Sequence, residues 1–382
     1  MQIGLALFLI MVVVNAEEGL VEIPIQQHFV SRNVLKSRQA IQMKQLGLGG
    51  GFLRPNSDAK PPTNPFSYLT ANMSFGTPEK SFTVLFSGSS RAWLFGKQFT
   101  GRNIYRPEDS STSKNLHRNF NQSDGPFNVN SSCYSDTMRF GGVKVKIQAF
   151  GVAYQLDEPA NEQFPADGSL GLNHLIPDAY TNYSEPTAPI DNILRPLLTK
   201  TYTFFLDQKS GNGTFTLGGL DKKNCQDNVY RVYKFNQIGK DMRYYLPVYE
   251  FGYPGYSSST GGLGYVDFGF SAIMLPFADA LGVYSASNAN YDWETGLYLI
   301  RCNTTFSRSM YIEMKDGSLI DFSKESVVVD IGLNDGSCVL AIDVVGDSYP
   351  NNTYVLGAPL ARQWCAVMDL NTNELKTHYR AN

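Results

Sequence analysis

Two short segments of this 382-residue chain carry the side chains best placed to do chemistry: Leu85-Phe-Ser-Gly-Ser-Ser90 and Val266-Asp-Phe-Gly-Phe-Ser271. Each reads as an apolar strand running into a Gly- and Ser-containing turn. Each is followed later by an apolar stretch that meets a glycine, Asp167-Gly-Ser-Leu-Gly-Leu172 in one case and Val355-Leu-Gly-Ala-Pro359 in the other. A repeat roughly 180 residues apart implies two related lobes facing each other. The cleft between such lobes is the natural ligand site. Other chemistries find less support. His28, His117, His174 and His378 form no metal-binding pattern and read as surface or core residues. No Gly-x-Ser-x-Gly elbow is present, and the cysteine spacings fit neither a zinc site nor a redox motif. No metal or cofactor is expected.

The elements that must position these turns are mostly strands. Ser81–Phe86, Val143–Ile147, Thr214–Leu217 and Tyr354–Leu356 alternate or run apolar between turn-forming residues. Helical patches are few, Pro276–Leu281 among them. With 42% hydrophobic and 13% aromatic residues the chain can fill two cores. Only 18% of residues are charged and the net charge is −3, so no nucleic-acid partner is expected. Residues 17–62 mix a short strand, a Lys/Arg- and Gln-containing helical stretch and a Gly-rich run, which suits a pro-segment or arm. That gives a signal peptide over 1–16, a pro-segment over 17–62, an N-terminal lobe over 63–203 and a C-terminal lobe over 204–382.

The signal peptide is the apolar run that closes on Val14-x-Ala16. Its apolar stretch is about half the roughly 20 residues a membrane span needs, so no membrane association is expected after its removal. A secreted destination follows, with the lysosome or a gut lumen as variants. Sequons at Asn72, Asn121, Asn130, Asn182, Asn212, Asn303 and Asn351 fit that compartment. Five cysteines leave at least one unpaired within the chain. Cys302 and Cys338 flank a strand-rich stretch and are expected to pair. Cys225 with Cys365 is a second pairing, leaving Cys133 over.

From Gly19 to its end the chain resembles the pepsin-like aspartic peptidases. Phe75-Gly-Thr-Pro78, the Gly88-Ser-Ser90 turn, Trp93, Asp167–Leu172, Leu356-Gly357 and Arg362-Gln-Trp-Cys365 carry the likeness, and Leu20–Ile25 resembles the family's opening pro-segment strand. The resemblance implies a mostly β, bilobal fold with two related β-lobes around a cleft. It also implies an Asp-Thr-Gly turn in each lobe, whose carboxylates share one proton across a water and hydrolyse amides.

Half of that dyad is absent. Asp267 remains in the second turn, but the first has Ser87 where Asp-Thr should stand, one residue shorter, and no Asp or Glu occurs between Lys80 and Arg106. The second turn has Phe268 in place of the family's threonine. Gly88, Ser89, Gly269 and Ser271 are expected to support the turns, and Trp93 to line core or cleft. The segment Phe127–Tyr134 leads so directly into Asp136–Gly142 that the hairpin flap over the cleft is expected to be shortened. Losing members of a unit that acts together removes most of its rate. The expectation is a catalytically silent homologue that holds a peptide or protein in its cleft. Two alternatives stay open: an active endopeptidase that borrows a second carboxylate, with Asp136 or Asp157 as candidates, and a structural secreted glycoprotein.

Overall fold

The computed structural model describes residues 14–15, 19–45, 65–124, 127–156, 164, 166–173, 188–238, 241–333, 335–346, 349–350 and 352–381. Most of the expected signal peptide, and Asn182, Asn351, His174 and Asp157, lie outside them. No helix among the described residues is long and apolar enough to cross a membrane.

The fold is mostly β, and alternation explains why. In the strand Lys80–Ser87, Phe82, Val84 and Phe86 fall on one face and are buried. Phe82 meets Phe75 and Tyr105, and Phe86 meets Phe140, Phe204 and Phe215. Leu85, on the opposite face, packs with Trp93 and Phe95 in a second cluster that also contains residues of the C-terminal half.

One sheet runs through the molecule and includes strands from both halves of the chain. Its central member is Leu20–Phe29, whose register joins Ile23 to Phe215 on one side and Gln27 to Leu69 on the other. The expected pro-segment thus begins as an integral strand, with Val21, Ile23 and Ile25 in the core. The division at 203/204 falls inside the strand Thr201–Leu206, which pairs with Cys365–Asp369 near the chain's end. A second sheet holds Gly262–Val266, Ile273–Leu275, Ile342–Val344 and Thr353–Leu356.

The repeat read from sequence has a topological counterpart. Lys80–Ser87 lies parallel to Gly168–Gly171, which pairs antiparallel with Ala92–Phe95. Gly262–Val266 lies parallel to Thr353–Leu356, which pairs antiparallel with Ile273–Leu275. Each lobe therefore carries one strand–turn–strand unit braced by a third strand.

The shortened flap is overturned. Lys114–Asp124 and Phe127–Phe140 form a long hairpin whose ladder reaches Asp124 opposite Phe127. Its first strand is rich in Asn, Lys, Arg and His and lacks apolar alternation, so the sequence gives no strand signal there. The cysteines pair as Cys225–Cys365 and Cys302–Cys338, and Cys133 is free and half-buried.

One buried charge stands out. Arg362, in the helix Ala358–Gln363, is 2% exposed, and neither Nη1 nor Nη2 finds a hydrogen-bond partner among the described residues. Burial lowers its pKa to about 10. An unpaired buried cation destabilises a fold, and an apolar side chain of similar volume relieves the penalty. Arg362→Met is expected to raise stability by about 1–3 kcal/mol in urea unfolding; a loss instead would mean that the guanidinium is compensated.

Candidate functional site

The site is built where the two strand–turn units meet. In the first lobe Phe86 is opposite Leu170 and Ser87 opposite Gly171. In the second, Val266 is opposite Leu356, and Asp267 donates its backbone N–H to the Leu356 carbonyl at 3.0 Å. Setting Phe86 against Val266 makes Ser87 the positional counterpart of Asp267. Gly171 and Gly357 support the match, because a Cβ at either would collide with the carbonyls of the adjoining turn. Phe268 then has no counterpart between Ser87 and Gly88, which locates the one-residue difference between the turns.

The turns touch. A Cβ on Gly88 would lie 2.1 Å from Asp267 Oδ2, so the carboxylate rests directly against the first turn. A Cβ on Gly269 would lie 3.0 Å from the Ser87 Cα and 2.9 Å from the Phe86 carbonyl oxygen. Both positions demand the absence of a side chain. Asp267 is half-buried, and its Oδ1 accepts the Gly269 N–H at 2.8 Å.

Ser87 is buried in a chain of hydroxyls. Ser169 Oγ donates to Ser87 Oγ at 3.2 Å, Ser87 and Ser89 hydroxyls meet at 2.9 Å, and Ser89 donates to the Arg91 carbonyl at 3.0 Å. A hydroxyl has one proton. Since Ser89 spends its proton on Arg91 and Ser169 donates into Ser87, the Ser87 proton is directed at Ser89. It is therefore not directed at Asp267. Asn173 Nδ2, a residue the sequence did not single out, donates to the Gly88 carbonyl and pins the turn from below.

Beneath the turns the packing is aromatic. Phe268 stacks on Phe204 with ring centroids 4.2 Å apart and planes 16° apart. Phe204 in turn contacts Phe86 and Phe215, so the second turn is tied to the central sheet by rings. Tyr202, fully buried in the same layer, has its phenol pKa pushed well above the ordinary value, first by burial and then by the charges of Asp267 and Asp191. It stays protonated at any pH of interest. Trp93 is wholly buried against Phe95 and Phe164, a core residue. Ser271 is also buried. Tyr134 is partly buried against the core, and its hydroxyl accepts from Asn115 Nδ2 at 3.4 Å.

Asp136 does not serve as a replacement acid. It is 2% exposed, and its oxygens accept from Tyr105 at 2.6 Å, Thr112 at 2.5 Å and the Thr137 N–H at 2.7 Å. Those bonds place it beside the Phe75–Pro78 hairpin entry, where it anchors the first lobe. Among the described residues no three His, Cys, Asp or Glu side chains converge as a metal site.

The helix Arg32–Gln45 bridges the lobes beside this region. Arg38 Nη1 donates to Tyr68 in the first lobe at 2.8 Å, and Gln39 Nε2 donates to Tyr291 in the second at 2.8 Å. Both donors are almost wholly buried, and Leu35, one helical turn before them, is completely so. Lys36 adds an exposed ion pair with Glu294 at 2.6 Å.

The paired strand–turn units are those of an aspartic peptidase, with Ser87 mirroring Asp267. The profile of the eukaryotic aspartyl protease family matches residues 67–378, and the chain belongs to that family. It is 26% identical over 329 residues to aspartic protease 1 of Caenorhabditis elegans, covering 81% of each chain. It is 25% identical over 364 residues to human gastricsin, covering 87% of this chain and 90% of gastricsin. Pepsin B of Canis lupus familiaris is 24% identical over 384 residues, covering 91% and 94%.

The aromatic layer makes a direct prediction. Phe268→Ala removes a fully packed ring and should cost about 3–5 kcal/mol in urea unfolding. A cost below about 1 kcal/mol would show that the Phe204 stack does not hold the second turn.

Proposed function

We propose that this protein is a secreted, proteolytically silent member of the eukaryotic aspartyl protease family that binds an extended peptide or protein segment between its lobes. The observation that carries the reading is the pairing of Asp267 with Ser87 at mirrored positions. Proton sharing needs two carboxyls around one water, and an alcohol cannot take the second part. The hydroxyl chain from Ser169 to Arg91 supports the same view, since it turns the Ser87 proton away from Asp267. Losing the dyad leaves the cleft's ability to hold an extended chain through backbone hydrogen bonds.

Secretion and glycosylation belong to the same proposal. They rest on the apolar N-terminal run and on sequons whose Asn72, Asn121, Asn212 and Asn303 are exposed and Asn130 half-exposed. Access to the cleft is governed by the segment that precedes the first lobe, whose helix reaches both lobes.

The test is to incubate the full chain, and its Asp267→Asn variant, with a defined peptide mixture at pH 3–6 and at neutral pH. Retained and released peptides are then identified by mass. Both proteins are expected to retain a subset of peptides and return them intact. Cleavage by the unmodified chain that Asp267→Asn abolishes would establish the active endopeptidase instead. Retention of no peptide by either would favour the structural glycoprotein.

Acid bears on the bridging helix through its exposed ion pairs with Glu294 and Asp335. Lys36, by hydrogen bond and then by charge, holds the Glu294 carboxyl below its ordinary value. The stabilisation from that pair is present above the ordinary carboxyl pKa and lost as pH falls through the lowered one. It is an exposed pair and contributes little. Burial raises the phenol pKa of Tyr68 and of Tyr291, so both stay protonated across that range. Hydrogen exchange over Arg32–Gln45 is therefore expected to show similar protection at pH 4 and pH 7. Loss of protection at pH 4 would mean that surface charge, not the buried bonds, docks the helix.

A further inference from the structure

A depression of about 450 Å³ on the first lobe is lined by Lys80, Lys97, Arg102 and Arg106, with Phe99, Ile104 and the backbone at Gly101 between them. One carboxylate, Asp109, is present in that lining. A concentration of cations of this kind contrasts with the whole chain, whose net charge is −3. The depression is also remote from the turns already described. Lys80 and Ser87 are the two ends of one strand, which at about 3.3 Å per residue separates them by roughly 23 Å.

The cations are held in two ways. Lys80 Nζ donates to the Ile104 carbonyl at 2.8 Å, which fixes the ammonium in the loop and leaves it further protons to give. Arg102 Nη1 donates to the Phe164 carbonyl at 2.8 Å, and its guanidinium lies over the Phe95 ring at 4.7 Å. Burial lowers the Arg102 pKa, and the Asp167 charge opposes that shift. Lys97 and Arg106 are exposed, and neither makes an ion pair among the described residues. The site thus has a pre-positioned floor and two cations at the surface whose donors face solvent.

We propose that this depression binds a sugar carrying a sulfate or phosphate ester. An oxyanion presents several acceptor oxygens, which the planar fork of an arginine and the point charge of a lysine match together. The volume lies within the range of small-ligand sites and exceeds what one tetrahedral ion fills. Phe99 and Ile104 add apolar surface for a ring face, and Thr100 and Asn103 add polar groups beside it. Nothing in this argument depends on whether the interlobe cleft binds peptide.

The test titrates the full chain at low ionic strength with glucose 6-sulfate, glucose 6-phosphate, inorganic sulfate and glucose. The double variant Lys97→Ala/Arg106→Ala is measured in parallel. These two side chains are exposed, and an unchanged melting midpoint checks that the variant is folded. The ester sugars are expected to bind, inorganic sulfate more weakly and glucose not at all. The double variant should lose tenfold or more in affinity for the esters, and added salt should weaken binding to the unmodified chain. Equal binding by variant and unmodified chain, or no binding of any anion at low salt, would overturn the site. Inorganic sulfate binding as tightly as glucose 6-sulfate would overturn the sugar as its ligand. If only one ester binds, the sulfate and phosphate arms name the source.

Discussion

The central constraint in this molecule is the contact between the Asp267 carboxylate and the Gly88 backbone. No side chain fits at Gly88, because its Cβ would fall inside the van der Waals radius of Asp267 Oδ2. That contact needs two strand ends to arrive head to head, and each strand is held by its own parallel partner. The sheets, the supporting glycines and the Asn173 bond to Gly88 all serve this meeting of turns. The family's strand–turn architecture is therefore retained at its centre, with Ser87 at the position that mirrors Asp267.

Around the two turns the side chains are held by packing and by local hydrogen bonds. Phe268, where the resemblance implies a threonine, turns down onto Phe204. An aromatic stack adds area and dispersion where a hydroxyl pair added direction. Ser87 has likewise been absorbed into a local hydroxyl chain with Ser169 and Ser89. A proton-sharing site must keep its polar groups poised for substrate, at some expense in stability. Here the hydroxyls of Ser87, Ser89 and Ser169 satisfy one another.

Much of this was legible in the residues. Strands with alternating apolar positions, such as Lys80–Ser87 and Gly213–Leu217, announce themselves, and so does the repeat of strand, turn and glycine. The absent aspartate is a fact of sequence alone. What sequence could not give has a physical reason in each case. The strand Lys114–Asp124 is polar along its length, so its partner Phe127–Phe140, not its own composition, determines that it is a strand. The direction of the Ser87 proton depends on Ser169, which is 82 positions away. The seating of Gln39 on Tyr291 joins residues separated by 252 positions. Asp136, a plausible spare acid by type, is removed from consideration only by the three donors that surround it.

The N-terminal segment shows how topology limits regulation. Leu20–Phe29 stands between Gly213–Leu217 and Ser67–Phe75, pairing with one through its first half and the other through its second. Removing it would bare two strand edges and uncover Phe215 and Leu69, which are buried. Exposed edges of that kind recruit other strands and aggregate. A cut that leaves the sheet intact must therefore fall after Phe29, or a different stretch of chain must take the strand's place. Cutting beyond Gln45 leaves the helix docked by its buried bonds to Tyr68 and Tyr291. The strand Leu20–Phe29 thus belongs to the body of the protein.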